Sequence, residues 1–260
     1  MKGVIINMAK VITYINEKGG TGKTTICLNI SWELAKKGYK VLMIDIDGQK
    51  SNLTYFIGKA DEAKKSLYDV LQNNIPPQDV ILQVKENLYI LPATLPITDL
   101  SPTIAPIKKV RAIIKQLRDD YDYIMIDVNP SPQWSHFLSM SVSDYVLIIM
   151  VPDAASVPAG YAIAETIEDV WENSNPNLKV LGVLFNMNDT NTVIGKEVRR
   201  VAQEYAEKIN SKVLHTTIRR AVQLREYVTA HMGVTDYAPH APVADDIRRL
   251  VEEIEREVNK

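Results

Sequence analysis

The sequence contains a single cysteine, Cys27, and no long apolar run. One cysteine cannot form an internal disulfide, and it cannot supply the several thiolates of a zinc or iron–sulfur site. The longest apolar run, residues 145–151, is far shorter than the roughly 20 residues that span a bilayer. The first ten residues lack the pattern of a cleaved secretory signal. We therefore expect a protein of a reducing, cytoplasmic compartment.

An excess of charge of one sign is also missing. The 260 residues include 30 Lys and Arg against 32 Asp and Glu, a formal net charge of −2. The charge of the whole chain therefore identifies no partner, and a surface for nucleic acid has to be a local patch. With 46% hydrophobic and 24% charged residues, the composition excludes collagen-like and disordered classes and is typical of a globular protein.

Apolar, β-branched runs alternate along the chain with helical patterns. The predicted strands are residues 11–15, 40–46, 87–91, 121–128, 144–151 and 178–185, and the predicted helices are 24–37, 105–119, 132–142, 155–172 and 194–209. This order predicts an α/β fold with a doubly wound, mostly parallel sheet, helices on both faces, and ligands outside the carboxyl ends of the strands. Recurring prolines between residues 48 and 106 predict short helices and loops there. We expect one domain over residues 1–260, with a short N-terminal extension over 1–9 and a packing helix over 242–260.

A glycine-rich segment follows the first predicted strand and precedes the first predicted helix. The order of strand, glycine turn and helix is what a phosphate-binding loop requires, because backbone N–H groups can then surround phosphate oxygens. Lys23 can place a cation at the β and γ phosphates, and the Thr24 hydroxyl can bind Mg²⁺. We therefore predict a site for ATP and Mg²⁺. The predicted nucleotide-binding residues are Gly19, Gly20, Thr21, Gly22, Lys23, Thr24 and Thr25.

The segment departs from the ordinary phosphate-loop pattern. Glu17 stands where a glycine is usual, and an additional lysine, Lys18, follows it. With this lysine, the segment Lys-Gly-Gly-Thr-Gly-Lys-Thr resembles the deviant Walker A motif of the ParA/MinD family of ATPases. The resemblance implies an ATP-dependent homodimer in which Lys18 reaches the phosphates of the partner subunit, so Lys18 joins Lys23 as a catalytic candidate. A cation supplied across an interface couples nucleotide state to dimerisation.

Aspartates end two of the apolar runs. Asp45 and Asp47 lie in the segment Asp-Ile-Asp-Gly-Gln, which resembles the DxDPQ segment of the family with Gly48 in place of proline. The resemblance implies that Asp47 positions the attacking water and that Asp45 lies near Mg²⁺, although either could instead cap a turn. Asp127 ends its run as a Walker B aspartate does and can hold Mg²⁺. Asn129 stands where the family usually has proline.

The second half of the chain resembles the ParA/Soj branch of the family. Residues 216–226 are similar to its TxIPRxVxLxE stretch, with Arg219 in place of the proline and Arg220 at the arginine. Asn186 ends the run 178–185, where the family often has a polar residue that binds the adenine, although asparagine is also a common turn residue. The branch implies partition of a plasmid or chromosome, with a ParB-like centromere-binding protein that stimulates slow ATP hydrolysis.

Residues 192–231 form a basic stretch. They carry eight basic and four acidic residues, a local charge of +4 in a chain whose total is −2. Because a dimer doubles this charge, we predict salt-sensitive binding to nonspecific double-stranded DNA and association with the nucleoid. Ion pairs on a solvated helix face are the alternative explanation. The candidate DNA-binding residues are Lys196, Arg199, Arg200, Arg219, Arg220 and Arg225.

Two other functions remain open at this point. A MinD-like membrane ATPase uses a basic amphipathic C-terminal helix, because cations attract anionic lipid while the apolar face inserts. Residues 241–260 instead carry four basic and six acidic residues beside an aliphatic stripe, which favours packing on the protein's own domain and no membrane partner. The second alternative is a nucleotide-regulated adaptor that positions a protein cargo, or regulates transcription, without partitioning DNA; it would keep the ATP site but need not bind DNA.

Overall fold

The computed structural model describes residues 8–47, 53–93, 104–128, 133–153, 156–189 and 193–260. The described residues form one seven-stranded sheet with helices on both of its faces. The strands are β1 (Lys10–Ile15), β2 (Val41–Asp45), β3 (Leu82–Lys85), β4 (Leu88–Leu91), β5 (Tyr123–Asp127), β6 (Tyr145–Met150) and β7 (Lys179–Phe185). The helices are α1 (Lys23–Lys36), α2 (Leu53–Phe56), α3 (Leu67–Asn73), α4 (Ile104–Leu117), α5 (Gln133–Ser141), α6 (Ser156–Asn173), α7 (Val193–Lys208), α8 (Gln223–Ala230), α9 (Val234–Tyr237) and α10 (Pro242–Val258).

The strand order is β3-β4-β2-β5-β1-β6-β7, and every neighbouring pair is parallel except β3 with β4. The predicted doubly wound, mostly parallel α/β fold is therefore confirmed. The edge strand β3 was not predicted. It is only four residues long, and its side chains are half-buried or exposed, so it lacks the apolar run that marks the buried strands.

The strands are apolar along their whole length because both faces of the sheet are covered. In β1, Val11 and Ile15 pack in the layer formed with α4–α7, whereas Ile12 and Tyr14 pack in the layer formed with α1 and α10. Neighbouring side chains of a strand point to opposite faces, so each needs an apolar partner of its own. This requirement explains why the strand pattern does not alternate.

Helix α10 packs against α1 through its apolar stripe. The buried stripe consists of Val243, Ile247, Leu250, Val251, Ile254 and Val258. Two acidic residues of the same helix, Asp246 and Glu253, are also buried, each 2% exposed. Glu253 accepts hydrogen bonds from the backbone N–H groups of His215 and Thr216, so the helix holds the segment that follows α7.

None of the described helices is long and apolar enough to cross a lipid bilayer.

The strand order brings functional residues to one edge of the sheet. β1 lies between β5 and β6, while the chain runs from β1 through α1 to β2 on the far side of β5. Ligands of doubly wound sheets bind at the carboxyl ends of the strands where the connections diverge. Asn16, Asp45, Asp127 and Asn186 all lie at the carboxyl ends of their strands, so they flank this position.

Candidate nucleotide-binding site

The segment between β1 and α1 forms a turn that leads into the helix N-terminus. Gly20 and Gly22 have positive φ values of 75° and 90°, a conformation that residues other than glycine rarely adopt. Gly22 is the N-cap of α1, which has no side-chain cap and no acidic residue in its first turn. The first N–H groups of α1 therefore have no side-chain cap, as in helix N-termini that bind phosphate.

Asn16 organises this loop, a role that the sequence did not predict. Its side-chain amide donates to the carbonyl of Ile149 on β6, and its Oδ1 accepts from the N–H of Lys18 at 2.6 Å. Its backbone carbonyl accepts a hydrogen bond from Nζ of Lys23 at 2.9 Å. One buried residue thus positions both lysines of the motif. The only sequence signal was an asparagine at the end of an apolar strand, which is also typical of ordinary turns.

Lys23 lies inside the loop, and its side chain is directed at the backbone carbonyl of Asn16. The residue is 5% exposed, and burial lowers the pKa of its ammonium, while Asp127 and Asp47 act in the opposite direction. Among the described residues, Lys23 forms no ion pair within 4.0 Å. Its positive charge is therefore available to a phosphate.

Asp127 is the second charged group of the site. It is fully buried, and neither carboxylate oxygen has a hydrogen-bond partner among the described residues. Burial raises its pKa to about 7, while the nearby Thr24 hydroxyl and Lys23 ammonium act to lower it and Asp47 acts to raise it. A buried carboxylate without a partner is costly, and a divalent cation satisfies it. These residues therefore fit Mg²⁺.

A magnesium ion held at Asp127 would have few protein ligands. The described residues contain no group of three or more His, Cys, Asp or Glu that could hold a metal ion. Mg²⁺ characteristically takes one or two protein ligands and completes its octahedron with phosphate oxygens and water. The pairing of Thr24 with Asp127 agrees with that preference.

Asp45 and Asp47 lie at the end of β2, beside Asp127 on β5. The Asp45 carboxylate accepts from the N–H of Asp47 at 3.0 Å and from the N–H and hydroxyl of Thr54 at 2.9 and 2.6 Å. This is the turn-capping arrangement that the sequence left open for Asp45, and its contact with Mg²⁺ stays a prediction. Asp47 is close enough to Lys23 and Asp127 to affect the pKa of each.

Lys18 is held by a carboxylate that the sequence did not single out. Its Nζ lies 2.5 Å from Oδ2 of Asp153, which follows β6, and Oδ1 of Asp153 accepts from the N–H and hydroxyl of Ser156 at the start of α6. Burial favours the neutral form of Asp153, but the hydrogen bonds from Lys18 and Ser156 outweigh it and lower its pKa. Only the fold brings residues 18 and 153 together.

Asn186 contacts the loop from the end of β7. Its Nδ2 donates to the carbonyl of Thr21 at 2.7 Å, and its Oδ1 is buried without a partner among the described residues. A Cβ on Gly22 would lie 2.2 Å from the same Nδ2, so a side chain at this position cannot fit without displacing Asn186. Asn186 therefore supports the loop, and its contact with adenine stays a prediction.

The six candidate DNA-binding residues fall into two groups along the chain. Lys196, Arg199 and Arg200 lie on α7, and Arg219, Arg220 and Arg225 lie between the end of α7 and the end of α8.

Three of the six arginine and lysine side chains are engaged within the protein. Arg200 pairs with Glu197 and Glu204 of its own helix. Arg219 donates to buried Asp246 from its Nε at 2.6 Å and from its second guanidinium nitrogen at 2.9 Å.

Arg199 is the third engaged side chain. Its guanidinium lies 4.6 Å from the centre of the Phe185 ring, and burial lowers its pKa. The three others, Lys196, Arg220 and Arg225, are exposed, and the described part of the chain gives them no ion pair. The ion pairs that the sequence allowed as an alternative are therefore present for part of the set.

Comparisons with known proteins agree with this geometry. Residues 9–180 match the family model described as an AAA domain. Over 254 residues the chain is 32% identical to the sporulation initiation inhibitor protein Soj of Bacillus subtilis, covering 95% of this chain and 98% of that protein. It is 29% identical over 244 residues to the chromosome-partitioning ATPase Soj of Thermus thermophilus, covering 94% of each.

A solved structure extends the agreement to three dimensions. The septum site-determining protein MinD of Pyrococcus horikoshii, in complex with Mg-ADP, superposes with a TM-score of 0.79 at 25% identity and covers 96% of this chain and 98% of that one. The family predicted from the phosphate loop is thus confirmed by whole-length relatives. The chain belongs to the ParA/MinD family and is a ParA/Soj-type ATPase.

Proposed function

We propose that the protein is an ATP-dependent dimerisation switch that binds nonspecific DNA and partitions a plasmid or chromosome with a ParB-like partner. The observation that carries the proposal is the buried carboxylate of Asp127, which has no hydrogen-bond partner among the described residues, beside Lys23 and the N-terminus of α1, which has no side-chain cap. A cation and an anion must both be supplied to satisfy these groups. Mg-ATP supplies the two together.

Different residues of the site bind the phosphates, the cation and the attacking water. The N–H groups at Gly19, Gly20 and Gly22 and the Lys23 ammonium bind phosphate oxygens, and Thr24 with Asp127 holds the cation. When bound, Mg²⁺ neutralises charge on the β and γ phosphates. Asp47, within electrostatic reach of Lys23 and Asp127, orients the attacking water.

Lys18 acts in ATP hydrolysis only within the dimer. In the single chain, Lys18 is paired with Asp153 of the same chain, at the surface next to the loop. In a homodimer with ATP bound, Lys18 exchanges this carboxylate for a phosphate of the partner subunit. Since the added cation is present only in the dimer, ATP hydrolysis depends on assembly.

The surface for DNA consists of the exposed basic side chains that the protein itself does not use. Lys196, Arg220 and Arg225 meet this condition, whereas Arg200 and Arg219 are bound by carboxylates. A lysine or arginine side chain that contacts a DNA phosphate displaces a counterion from the DNA. Side chains that form no ion pair within the protein therefore contribute most to a salt-dependent affinity. We assign the DNA contacts first to these three residues.

We further propose that the protein works on the nucleoid in the cytoplasm. The apolar stripe of α10, which a MinD-like membrane anchor would insert into lipid, is buried against α1. Residues 241–260 carry a net charge of −2, which anionic lipid repels. Both observations favour DNA over a membrane as the surface on which the switch works.

Fluorescence anisotropy of a labelled random-sequence duplex tests the proposal. The protein is titrated at low and moderate salt in Mg-ATP, Mg-ADP and without nucleotide. We expect binding only in Mg-ATP, with an affinity that falls steeply as salt is raised. Absence of binding in all three states would leave an ATPase that positions a protein cargo.

A further inference from the structure

Helix α8 has a single fully buried side chain, that of Tyr227. All eight residues of the helix are described, and the other seven are half-buried or exposed. The Tyr227 ring packs in the apolar layer that contains Ile26, Cys27 and Ile30 of α1. Arg225, an exposed residue of the proposed DNA surface, lies two positions before it on the same short helix. Tyr227 is therefore the side chain that fixes α8, and Arg225 with it, to the core.

The hydroxyl of Tyr227 is buried without a partner. Its Oη is inaccessible to solvent and forms no hydrogen bond among the described residues. Burial raises the pKa of Tyr227, while the side chains of Thr25 and Asn29 act to lower it, so both lie near the hydroxyl. A buried hydroxyl that forms no hydrogen bond destabilises a fold, because it has lost its bonds to water. Phenylalanine would pack the same ring without this cost.

The two residues beside this hydroxyl belong to the start of α1. Thr25 is one of the predicted nucleotide-binding residues, and its backbone carbonyl accepts from Nδ2 of Asn29 at 2.8 Å. Oδ1 of Asn29 accepts from the N–H of Val234, the first residue of α9, at 2.7 Å. Helix α9 also packs against α8. Continuous contacts therefore connect the first turn of α1, where the nucleotide binds, with the helix that carries Arg225.

We propose that Tyr227 is a positioning residue that transmits nucleotide occupancy from Thr25 to α8. When the Thr25 hydroxyl donates to a phosphate oxygen, its own oxygen can still accept a hydrogen bond, and the Tyr227 hydroxyl is a donor that needs an acceptor. This bond fixes α8 while the site is loaded. The inference rests on the proposed function, because that function assigns Arg225 to the DNA surface.

This link is separate from dimerisation. It acts within one subunit and needs only a phosphate contact at Thr25, so ADP engages it as well as ATP. Lys18, by contrast, acts across the interface of the ATP-bound dimer. Because coupling between two sites is reciprocal, DNA that holds α8 in place strengthens nucleotide binding by the same factor.

The test compares two variants that each remove one buried hydroxyl and keep the ring. Tyr227→Phe is the test variant. Tyr205→Phe is the matched control, because Tyr205 is also fully buried and its hydroxyl contacts the sulfur of Met150 at 3.6 Å, away from Thr25. We expect Tyr227→Phe to bind ADP about fivefold more weakly than the wild type, as when one ordinary hydrogen bond is lost. Its urea midpoint without nucleotide should be equal to that of the wild type or higher, because the lost hydroxyl had no partner.

Hydrogen exchange reports on α8 directly. In the wild type and in Tyr205→Phe, Mg-ADP is expected to slow the exchange of residues 223–230, and in Tyr227→Phe it is not. A lower urea midpoint in Tyr227→Phe together with wild-type ADP affinity would show that Tyr227 has only a structural role. Equal protection of α8 in the wild type and Tyr227→Phe would show that the hydroxyl carries no coupling.

A double-mutant cycle tests whether Tyr227 acts through Thr25. Thr25→Val removes the acceptor and keeps the shape of the side chain, and nucleotide binding persists because Lys23 remains. In this background, Tyr227→Phe is expected to change ADP affinity by less than about twofold. Losses that add in full would contradict the route from Thr25 to α8.

The inference and the proposed function fail in different experiments. If Mg-ADP protects α8 in a manner that depends on Tyr227 but the wild type binds no DNA in Mg-ATP, the proposed function fails and the link stands. If the wild type binds DNA in Mg-ATP and the protection of α8 does not depend on Tyr227, the link fails and the proposed function stands.

Discussion

The phosphate loop and the basic stretch are both rich in charged residues, but the structure uses their charges differently. At the loop, neither Asp127 carboxylate oxygen has a hydrogen-bond partner among the described residues, and the Lys23 ammonium donates there only to a backbone carbonyl. In the described part of the basic stretch, Arg200 is bound by two glutamates and Arg219 by buried Asp246. The charged groups of the loop are thus available to a ligand, whereas those of the basic stretch are partly neutralised within the protein.

The difference shows that a count of charges does not measure what is available to a ligand. A buried charge without a partner raises the free energy of the unliganded protein, and a ligand that supplies the partner recovers this cost. An exposed ion pair is worth little for stability, but it still has to be broken before its arginine can contact phosphate. The loop therefore predicts its ligand far more sharply than the basic stretch does.

The largest effect is expected at Lys23. Lys23→Ala removes the cation from the loop, and we expect basal ATP hydrolysis to fall by about 10²-fold or more, as when one preorganised transition-state contact is lost. Arg200→Ala, in the basic stretch, is the control and is expected to keep the wild-type basal rate. Phosphate release measured without DNA or partner compares the two. Similar losses in both variants would erase the contrast between the regions.

The next effect concerns Lys18, whose carboxylate partner Asp153 belongs to the same chain. Lys18→Ala is expected to abolish ATP-driven dimerisation while nucleotide binding persists, because Lys23 and the α1 N-terminus remain. Light scattering after gel filtration in Mg-ATP measures the dimer, and a fluorescent ATP analogue measures binding. A variant that still dimerises with ATP would show that Lys18 does not act across the interface.

Most of the fold could be predicted from the sequence, for a physical reason. Strands buried on both faces must be apolar throughout, so β1, β2, β4, β5, β6 and β7 are visible as runs. The edge strand β3 pairs only with β4, and its side chains are half-buried or exposed. Nothing in the sequence of four such residues distinguishes a strand from a loop. Gly48, Asn129 and part of the proline-rich region lie outside the described residues.

The candidate site could be predicted only where its residues are neighbours in sequence. Lys18, Lys23 and Thr24 belong to one motif, and Asp127 ends a visible strand. By contrast, the contact of Lys18 with Asp153 joins residues 135 positions apart. Such pairs depend on which strands become adjacent, which no local pattern specifies.

A third prediction separates the two kinds of arginine in the basic stretch. Arg220→Ala/Arg225→Ala removes two exposed cations without ion pairs in the described structure, whereas Arg200→Ala removes one that is held by two glutamates. We expect the double variant to lower DNA affinity in Mg-ATP and to reduce the slope of log K against log salt by about two, and Arg200→Ala to change the slope by less than about one. Anisotropy at several salt concentrations gives both slopes. Equal slopes per arginine removed would mean that ion pairing does not decide availability.

The smallest effect is on stability and concerns Asp246. Burial favours the neutral form of its carboxyl, but the hydrogen bonds from Arg219 and Arg249 outweigh it and lower the pKa below the ordinary value of 3.8. A lowered folded-state pKa contributes stability that is present above the unfolded value and is lost as the pH falls through the folded value. Asp246→Asn removes the carboxyl group and, with it, this contribution to stability at every pH. The other carboxyl groups titrate alike in the wild type and in the variant, so they do not change the difference between the two.

The difference in urea midpoint between wild type and Asp246→Asn should therefore be largest near neutral pH and should shrink below about pH 4. Arg219→Ala should give a smaller difference of the same sign, because Arg249 still binds the carboxylate. A difference that is constant from neutral pH to pH 3 would mean that Asp246 acts through its shape and not through its charge. Arg219 would then be as free for DNA as Arg220, and the contrast between bound and available arginines would not hold at this position.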